Sequence, residues 1–407
     1  MAKDLKVLLF TSLLFFGIYL AGDPSATPPD ALWQQAMAAQ YGLEGEVKNH
    51  AQAACLLERL VTMEPPHPLQ DRALLELGRM HAFGLHGAVN ASEAVAWFQK
   101  AAAAGSVDAF VELAWAHLLG QGLSENTPEA IVWLQKAVDQ GDSRAQWLLQ
   151  NVRDLAEEIG RPGVSSPQFF RTLPLPERYT EPILGMKFLL VEPGELGITR
   201  FGADAPEIAI PYQLSLPTPY YLGQYEVTVA DWRQIMGFAA PYPWHQRAAM
   251  PITGINYFMA QCFVRRLNFL NPGMAFRLPT EDEWEYACRA GTTTPFHTGQ
   301  HLPPGMANVD FRVDFVFPFA GEYRGGTTPV GSYPANAFGF YDMHGNAAEW
   351  CLPTPENPPN PFGQDGHLSL RGGSWYFSPQ IARSGFRDTH RPQDLGRSTG
   401  FRLVVAP

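Results

Sequence analysis

The chain has 407 residues and a formal net charge of −11, with 29 lysines and arginines against 40 aspartates and glutamates. A hydrophobic content of 46% with only 17% charged residues predicts compact globular folding, and the length fits two or three domains. Because this acidic chain offers no basic field to release phosphate counterions, the composition argues against nucleic acids and anionic membrane surfaces as partners.

The N-terminus has the pattern of a targeting segment. Lys3 and Lys6 precede an apolar run at residues 7–21, which is short for a membrane-spanning helix. We therefore predict that residues 1–26 are a signal peptide or N-terminal anchor, and that the protein is exported. Neither Ala21 nor Ala26 ends a small-x-small cleavage pattern. Two locations stay open. The protein is either periplasmic, or anchored in the inner membrane by this segment alone and facing the periplasm.

The sequence contains four cysteines, at Cys55, Cys262, Cys288 and Cys351. They form no CxxC pair, and four thiols allow three pairings that sequence does not rank. Cys262 and Cys288 lie in apolar helical patterns, where a buried, inert thiol is the usual outcome. A disulfide between two of the three C-terminal cysteines stays open.

Residues 72–142 contain two copies of one 36-residue unit, which align without a gap. The matched pairs are Ala73 and Ala109, Glu76 and Glu112, Leu77 and Leu113, His81 and His117, Gly84 and Gly120, Ala94 and Ala130, Trp97 and Trp133, Lys100 and Lys136, and Gly105 and Gly141. A period of this length with two helical patterns per unit predicts a helix-turn-helix solenoid. The unit endings WFQKAAAAG and WLQKAVDQG resemble the Sel-like branch of the tetratricopeptide superfamily.

The solenoid is predicted to cover residues 30–158, with a degenerate first unit at 31–63 and a capping helix at 143–158. Trp97 and Trp133 are expected to pack internally, and His81 and His117 to be structural turn residues. So short a solenoid mainly offers a concave surface to a partner protein or to its own second domain. Residues 159–182 are rich in proline and predict an extended linker, which leaves residues 183–407 for the second domain.

The second domain contains five distinctive sequence blocks, two of them 15 residues long. They read RLPTEDEWEYACRAG from Arg277, NAFGFYDMHGNAAEW from Asn336, RGGSW from Arg371 and GFR from Gly400, after YEVT at Tyr225. Their order and spacing resemble the formylglycine-generating-enzyme superfamily, also called the sulfatase-modifying-factor family. The resemblance implies a loop-rich C-type-lectin-like fold. The predicted fold class is therefore a helical solenoid of Sel-like repeats joined to an α+β lectin-like domain.

Three helices are predicted in this domain. The first begins at a Thr228 cap, the second spans residues 256–270, and the third contains Trp284. Because buried arginines need carboxylate or carbonyl partners, several residues of the motif blocks are interpreted as structural. These are Glu283, Trp284, Arg371, Arg383, Arg387 and Arg402.

The copper-dependent members of the family place a cysteine two positions after their GGS[YW] motif and another five positions beyond it. Two such thiolates hold a soft Cu(I) ion. In this chain the corresponding positions are Phe377 and Ala382, and the tryptophan of the family's GNxWEW motif is replaced by Ala348. We therefore expect no copper and no formylglycine-generating activity.

A second branch, the ergothioneine-pathway sulfoxide synthases, uses iron on three histidines, and its HxxxHxE signature does not occur in this sequence. His297 and His301 do form an HxxxH pair, but Pro295 and Pro303 flank it and predict a loop. A solvated pair is the favoured interpretation over a metal site. His344 lies in a block where the family often has histidine without general catalytic use.

The best candidate for an altered site is Ser374 with its neighbours Trp375, Tyr376 and Phe377. The GGSW context is not a strained nucleophile elbow, and no histidine or aspartate is positioned by sequence to activate the serine. Its hydroxyl is expected to bond the loop backbone. An open polar cavity here would favour an enzyme, and a closed one would remove the substrate site.

The resemblance also implies structural calcium, held by hard oxygen ligands on loops. One ligand set would be Asp342, Gly345, Ala347 and Glu349, and a weaker second set would be Asn308, Val309, Glu322 and Arg324. The alternative, in which Asp342 and Glu349 make only hydrogen bonds, stays open.

Two functional hypotheses follow. The first is a non-enzymatic periplasmic accessory protein that binds protein partners through both domains, similar in outline to family members that bind a sensor kinase to switch on type VI secretion. The second is an oxidoreductase without copper cysteines, acting on a peptide or peptide-derived substrate, as in the members that mature the pyoverdine chromophore. We favour the first, because a fold alone carries no activity.

Overall fold

The computed structural model describes residues 27–43, 45–159, 175–201, 209–313, 323–352 and 367–406. The predicted targeting segment, residues 160–174 of the predicted linker and Glu322 lie outside these ranges. In the described part of the chain, no helix has both the length and the apolar character needed to cross a membrane.

Residues 27–159, apart from position 44, form helices joined by short turns. The helices are α1 (Pro29–Tyr41), α2 (His50–Val61), α3 (Gln70–Ala82), α4 (Ala91–Ala103), α5 (Val107–Leu119), α6 (Thr127–Asp139) and α7 (Ser143–Ile159). Asparagine caps the second helix of each pair. The side-chain oxygens of Asn49, Asn90 and Asn126 each accept a hydrogen bond from the backbone amide three residues later in the chain. The predicted solenoid, with its degenerate first unit and its capping helix, is confirmed.

The repeated residues act as packing elements, as predicted. Lys100 lies 3.9 Å above the Trp97 ring, and Lys136 lies 3.7 Å above the Trp133 ring, so each tryptophan is covered by the lysine of its own motif. Gly78 in α3 admits the Phe98 ring, because a Cβ atom there would lie 2.4 Å from it.

The second domain consists of short strands connected by long loops. The strands are β1 (Arg178–Thr180), β2 (Lys187–Val191), β3 (Gly194–Phe201), β4 (Ala209–Leu216), β5 (Tyr220–Gly223), β6 (Phe276–Arg277), β7 (Ala348–Trp350), β8 (Leu368–Arg371), β9 (Asp388–His390), β10 (Thr399–Gly400) and β11 (Val404–Val405). Among the described residues they form one sheet of order β1-β2-β5-β11-β6, a second of order β10-β7-β8-β9, and the hairpin β3-β4.

The domain begins earlier than the predicted boundary at residue 183. Arg178–Thr180 forms β1, which pairs antiparallel with β2 at the edge of the five-stranded sheet. The boundary was placed too late because a proline-rich sequence is also compatible with an edge strand.

The helices of the second domain are α8 (Val229–Met236), α9 (Tyr257–Leu270) and α10 (Glu281–Arg289). Thr228 and Asp231 form a capping box at the start of α8, and Thr280 and Glu283 form another at the start of α10. Asn256 caps α9. The three helices predicted from sequence are confirmed.

The two domains pack against each other through one continuous hydrophobic core. Helix α9 lies against α5 and α7 of the solenoid. The Phe269 ring meets the Trp115 ring edge-on at 6.0 Å, and Asn256 donates a 2.8 Å hydrogen bond to the Phe83 carbonyl. The solenoid surface around α5 is therefore occupied by the protein's own second domain, one of the two possibilities that the sequence left open.

Candidate functional site

Ser374 lies in the turn that follows strand β8. Gly372 and Gly373 precede it with φ of +87° and +65°, which favour glycine. The Ser374 side chain has 0% exposure, and its hydroxyl is 2.9 Å from the Ser398 hydroxyl. The hydroxyl also accepts a 3.4 Å bond from the Tyr376 backbone amide, so the expected bond to the loop backbone is present together with the side-chain bond. Solvent does not reach the Ser374 hydroxyl.

Aromatic rings pack around Trp375, the residue that follows Ser374. Trp375 is 3% exposed and meets the Trp244 ring edge-on at 5.3 Å, with the Tyr323 ring 6.0 Å away on another side. Its indole nitrogen is buried without a hydrogen-bond partner. Tyr376 is 55% exposed and contacts the half-buried Phe377 ring. The candidate residues thus form a packed aromatic surface with Tyr376 at its outer edge.

The two positions that correspond to copper ligands are filled by apolar groups. Ala382 is fully buried in a hydrophobic cluster with Phe296, Leu302 and Phe311, and its backbone packs against Gly373. Phe377 is held in place by its carbonyl, which accepts a 2.9 Å bond from the Asp310 amide. Neither residue can ligate a metal.

The cysteines lie elsewhere, and all four are free thiols. Burial raises the pKa of Cys262 and of Cys351, and raises the pKa of Cys288 to about 12. Cys55 is exposed on the solenoid. The prediction of buried, inert thiols at Cys262 and Cys288 is confirmed, and no disulfide joins the C-terminal cysteines.

His344 is the histidine nearest to the Ala382 position, and both of its ring nitrogens bond to backbone. Nδ1 is 2.7 Å from the Ala382 carbonyl, and Nε2 accepts a 3.3 Å bond from the His297 amide. Burial lowers the pKa of His344 to about 3, so the ring is neutral. The Cys288 sulfur lies 3.8 Å from Nε2, but a neutral, engaged ring cannot activate that thiol.

His297 stacks on the His344 ring at 4.9 Å, whereas His301 is exposed. The segment between them turns back on itself, with a bridge between Phe296 and Gly299. The HxxxH pair therefore lies on a loop, as predicted, and does not present two imidazoles on one helical face. It is not a solvated pair, however, because both ring nitrogens of His297 are buried against His344.

Four ionisable residues lie together in a buried cluster at strand β7. They are Arg402, Glu349, Glu226 and Asp342. Arg402 binds Glu349 through two hydrogen bonds of 2.7 Å, and both side chains have 0% exposure. Burial, together with the charges of Asp342 and Glu349, raises the pKa of Glu226 well above its usual range. Sequence reasoning missed Glu226, although it lies in the YEVT motif. Its carboxylate accepts bonds from the Ala347 amide and the Asn346 side chain, both at 3.0 Å.

These contacts bear on the first predicted calcium set. The Glu349 carboxylate is already neutralised by Arg402 and also accepts a 2.8 Å bond from the Trp284 indole. Asp342 uses Oδ2 to accept from the Gly331 amide, but its Oδ1 is buried without a partner. That orphaned oxygen fits a cation, whereas Glu349 does not need one. Within the described ranges, no group of three or more histidine, cysteine, aspartate and glutamate side chains is placed to hold a metal.

The second predicted set is joined to the first by backbone. Asn308 forms a parallel bridge with Gly345, and its carbonyl accepts a 2.9 Å bond from the Asn346 amide. Its side-chain amide donates to the Gly326 carbonyl at 3.0 Å. Val309 packs in the hydrophobic cluster around Ala382. Glu322 lies outside the described residues, so this set has no described carboxylate.

The arginines of the motif blocks have the structural role that the sequence predicted. Arg371 is fully buried and binds Glu285 at 2.7 Å, and Arg277 binds Glu283 at 2.6 Å. Arg383 donates to the Gln380 carbonyl, and Arg387 pairs with Glu281 at 2.8 Å. These charge-assisted bonds hold loops that have few backbone ladders.

Comparisons with known proteins agree with this architecture. Residues 177–407 match the sulfatase-modifying factor enzyme 1-like domain, and residues 71–106 and 109–142 match the Sel1 repeat. The chain is 30% identical over 245 residues to the formylglycine-generating enzyme of Mycobacterium tuberculosis, covering 51% of this chain and 76% of that protein.

Two further proteins are similar. The chaperone protein LppX of Paenibacillus barcinonensis is 27% identical over 224 residues, covering 46% of this chain and 79% of LppX. The structure of PvdO from Pseudomonas aeruginosa aligns with a TM-score of 0.46 and 24% identity, covering 56% of this chain and 98% of PvdO. Because one family match spans more than half of the chain, the protein belongs to the sulfatase-modifying-factor (formylglycine-generating-enzyme-like) family, here joined to Sel1 repeats.

Proposed function

We propose that this protein is an exported, non-catalytic member of its family, which binds protein partners in a periplasmic signalling or secretion complex. The observation that carries the proposal is Ala382, a fully buried alanine in an apolar cluster at the position where copper-dependent relatives have a thiolate. A site that lacks both sulfur ligands has no soft donor for Cu(I).

The burial of Ser374 supports the same proposal. An oxidoreductase acting near Ser374 would need to bring substrate to this residue, but Ser374 has 0% exposure and its hydroxyl is bonded to Ser398 and to the Tyr376 amide. The oxidoreductase alternative therefore has no supporting contact here, and we do not favour it.

The partner surface we propose is the aromatic surface around Trp375, with Tyr376 as its exposed contact. Large aromatic side chains that combine an apolar body with a polar group are enriched where proteins bind one another. Arg312 lies 3.6 Å above the Tyr323 ring and adds a charged group at its rim. The similarity to a protein called a chaperone also favours a binding role. Because the second domain covers the α5 side of the solenoid, a partner of the repeats would meet their outer faces.

The absence of catalysis can be tested directly. Purified protein would be loaded with Cu(I) and incubated with a cysteine-containing sulfatase peptide, with the M. tuberculosis enzyme as positive control. We expect no aldehyde by mass spectrometry and no stoichiometric copper after desalting. Formation of aldehyde, or retention of one copper per chain, would overturn the proposal.

Partner binding needs its own experiment. Full-length protein would be cross-linked to periplasmic proteins, and the products compared with those of Tyr376→Ala and Phe338→Ala. Phe338 is a matched control, because it is also an exposed aromatic residue but lies elsewhere, against Tyr286. We expect a discrete product that Tyr376→Ala alone removes. Identical products from all three proteins would contradict the proposed surface.

We also propose that the loop containing Asp342 holds a structural Ca²⁺. The buried, unpartnered Oδ1 of Asp342 supports this, since calcium prefers carboxylate oxygens on loops. The pairing of Glu349 with Arg402 implies that Asp342 and backbone carbonyls, rather than Glu349, would supply most of the binding.

A further inference from the structure

A cavity of about 130 Å³ lies between the solenoid and the second domain. The solenoid contributes Phe83, Phe98 and Trp115 to its wall, and helix α9 contributes Phe258, Cys262 and Arg266. The cavity is therefore distinct from the Ser374 region. Binding sites for small molecules occur preferentially at such domain interfaces.

Two buried hydrogen-bond donors in the cavity wall have no partner. They are the indole nitrogen of Trp115, whose residue is 1% exposed, and Nε of Arg266, whose residue is 4% exposed. Buried polar groups are normally satisfied, so an unpaired donor points to a missing acceptor. Because both atoms are donors, the missing group is an acceptor such as a carboxylate or carbonyl oxygen.

The charges around the cavity favour a negatively charged acceptor. The Glu112 carboxylate, which also lines the cavity, is already bonded to Arg266 at 2.5 Å and approached by Arg79 at 3.7 Å. Arg265 adds an exposed guanidinium to the lining. An incoming carboxylate would therefore meet unmatched donors and an extra positive charge, with the one acidic group already paired.

The size and the remaining lining define the rest of the ligand. A cavity of about 150 Å³ lined by apolar side chains holds one benzene molecule. This cavity is slightly smaller, and its other walls are mainly aromatic rings, alanines and valines, together with Cys262 and Gln121. That volume fits one ring and excludes nucleotides and larger cofactors, which need several hundred Å³, roughly 300 or more.

We propose that this interdomain cavity is a binding site for a small aromatic carboxylic acid, whose ring lies among Phe83, Phe98 and Phe258 and whose carboxylate accepts from Trp115 and Arg266. Because these residues belong to both domains, the bound acid would join the solenoid to the second domain. The inference does not depend on the proposed function, since it uses neither Ser374 nor the aromatic surface.

The test titrates the full-length protein with benzoate, phenylacetate and 3-phenylpropionate, followed by calorimetry and by thermal unfolding. Benzyl alcohol, which has the ring without the charge, and acetate, which has the charge without the ring, are the ligand controls. We expect at least one aryl acid to bind with one site per chain and raise the unfolding temperature. Both controls should bind at least about tenfold more weakly. Benzyl alcohol lacks the hydrogen bonds to a charged group, which contribute on the order of 1.5–3 kcal/mol, and acetate lacks the buried apolar ring.

Trp115→Phe provides the matched variant, because it keeps an aromatic ring and removes one unpartnered donor. Its control is Trp97→Phe, since the Trp97 indole nitrogen is also buried without a partner but does not line the cavity. We expect Trp115→Phe to weaken binding of the acid by about tenfold and Trp97→Phe to leave it unchanged.

Three outcomes would overturn the proposal. If none of the acids binds, or if the alcohol binds as tightly as the acids, the cavity is not a carboxylate site. A tripeptide ending in phenylalanine carries the same ring and carboxylate on a peptide chain. If the tripeptide binds and the free acids do not, the cavity recognises chain ends and the free-acid proposal is wrong.

Discussion

Arg266 of the second domain donates a 2.5 Å hydrogen bond to Glu112 of the solenoid, and the two side chains are 4% and 5% exposed. Arg266 also donates to the Ile235 carbonyl, and its guanidinium lies 5.1 Å from the Trp115 ring. This ion pair lies buried in the domain interface, together with the hydrogen bond from Asn256 to the Phe83 carbonyl. A different arrangement of the two domains that kept either charge buried would leave it unpaired, which disfavours such an arrangement.

We predict that Glu112→Ala lowers the free energy of unfolding by about 3–5 kcal/mol, because it leaves the Arg266 charge buried and unpaired. The double variant Glu112→Leu with Arg266→Met should recover most of this loss. Urea unfolding monitored by tryptophan fluorescence provides the measurement. Asp310→Asn is the control, because Asp310 pairs with an Arg312 side chain that is 52% exposed, and it should cost about 1 kcal/mol or less. A small effect of Glu112→Ala would mean that the domains separate in solution.

A second prediction concerns the steric fit of the same interface. Gly237 ends α8 with φ of +84°, and a Cβ atom there would lie 1.4 Å from Nη1 of Arg144 in the solenoid. Gly141 has nearly the same φ, +86°, but a Cβ atom there meets nothing within 4 Å. Both Gly→Ala variants pay for left-handed backbone, roughly 1–2 kcal/mol, so their difference isolates the domain contact. We expect Gly237→Ala to lower the unfolding temperature modestly further than Gly141→Ala, because the end of the Arg144 side chain must move away from its 2.9 Å ion pair with Asp108. Equal shifts would contradict a stabilising role for this position of Arg144.

The sequence predicted the parts of the fold that local patterns encode. The 36-residue repeat defined the solenoid, and Thr228 marked the start of a helix. It did not predict the Glu112–Arg266 pair, because Glu112 occupies a repeat position equivalent to Glu76 and nothing local distinguishes the residue that meets another domain. The cavity was missed for the same reason. The aromatic cluster around Trp375 brings together Trp244, Tyr323 and Trp375, which are too far apart in the sequence for periodicity to predict their contact.

The third prediction concerns acid sensitivity. His245 has 0% exposure, with Nδ1 2.7 Å from the Ala240 carbonyl and Nε2 accepting from the Thr253 amide. Burial lowers the pKa of His245 to about 4, below its usual value near 6.5. As the pH falls, His245 therefore takes up a proton in the unfolded chain before it does so in the folded protein. Its contribution to the free energy of unfolding is complete above pH 6.5 and is lost as the pH falls toward 4. The full contribution is about 3 kcal/mol.

The measurement compares His245→Gln with the unmodified protein in urea at pH 7, 5 and 4. The variant should lose less stability between pH 7 and pH 4, by about 3 kcal/mol, whatever its stability at pH 7. His390→Gln serves as the contrasting variant, because hydrogen bonding to Asp388 raises the pKa of His390. That contribution is present at low pH and is lost as the pH rises. Parallel pH profiles for the unmodified protein and His245→Gln would show that His245 is not responsible.

The last prediction tests the calcium site through Asp342. Its φ of +55° is in the left-handed region, which asparagine also tolerates, so Asp342→Asn preserves the backbone and removes the charge. If Ca²⁺ binds Oδ1, the folded state gains about 2.7 kcal/mol at a free concentration of 100 times Kd, and unfolding shifts to higher temperature. The variant should show little of this gain. With EDTA present the variant should be at least as stable as the unmodified protein, because burial raises the pKa of Asp342 to about 6 and its ionised form is disfavoured. If the unmodified protein unfolds at the same temperature in Ca²⁺ and in EDTA, Ca²⁺ does not bind Oδ1 and the calcium proposal is wrong.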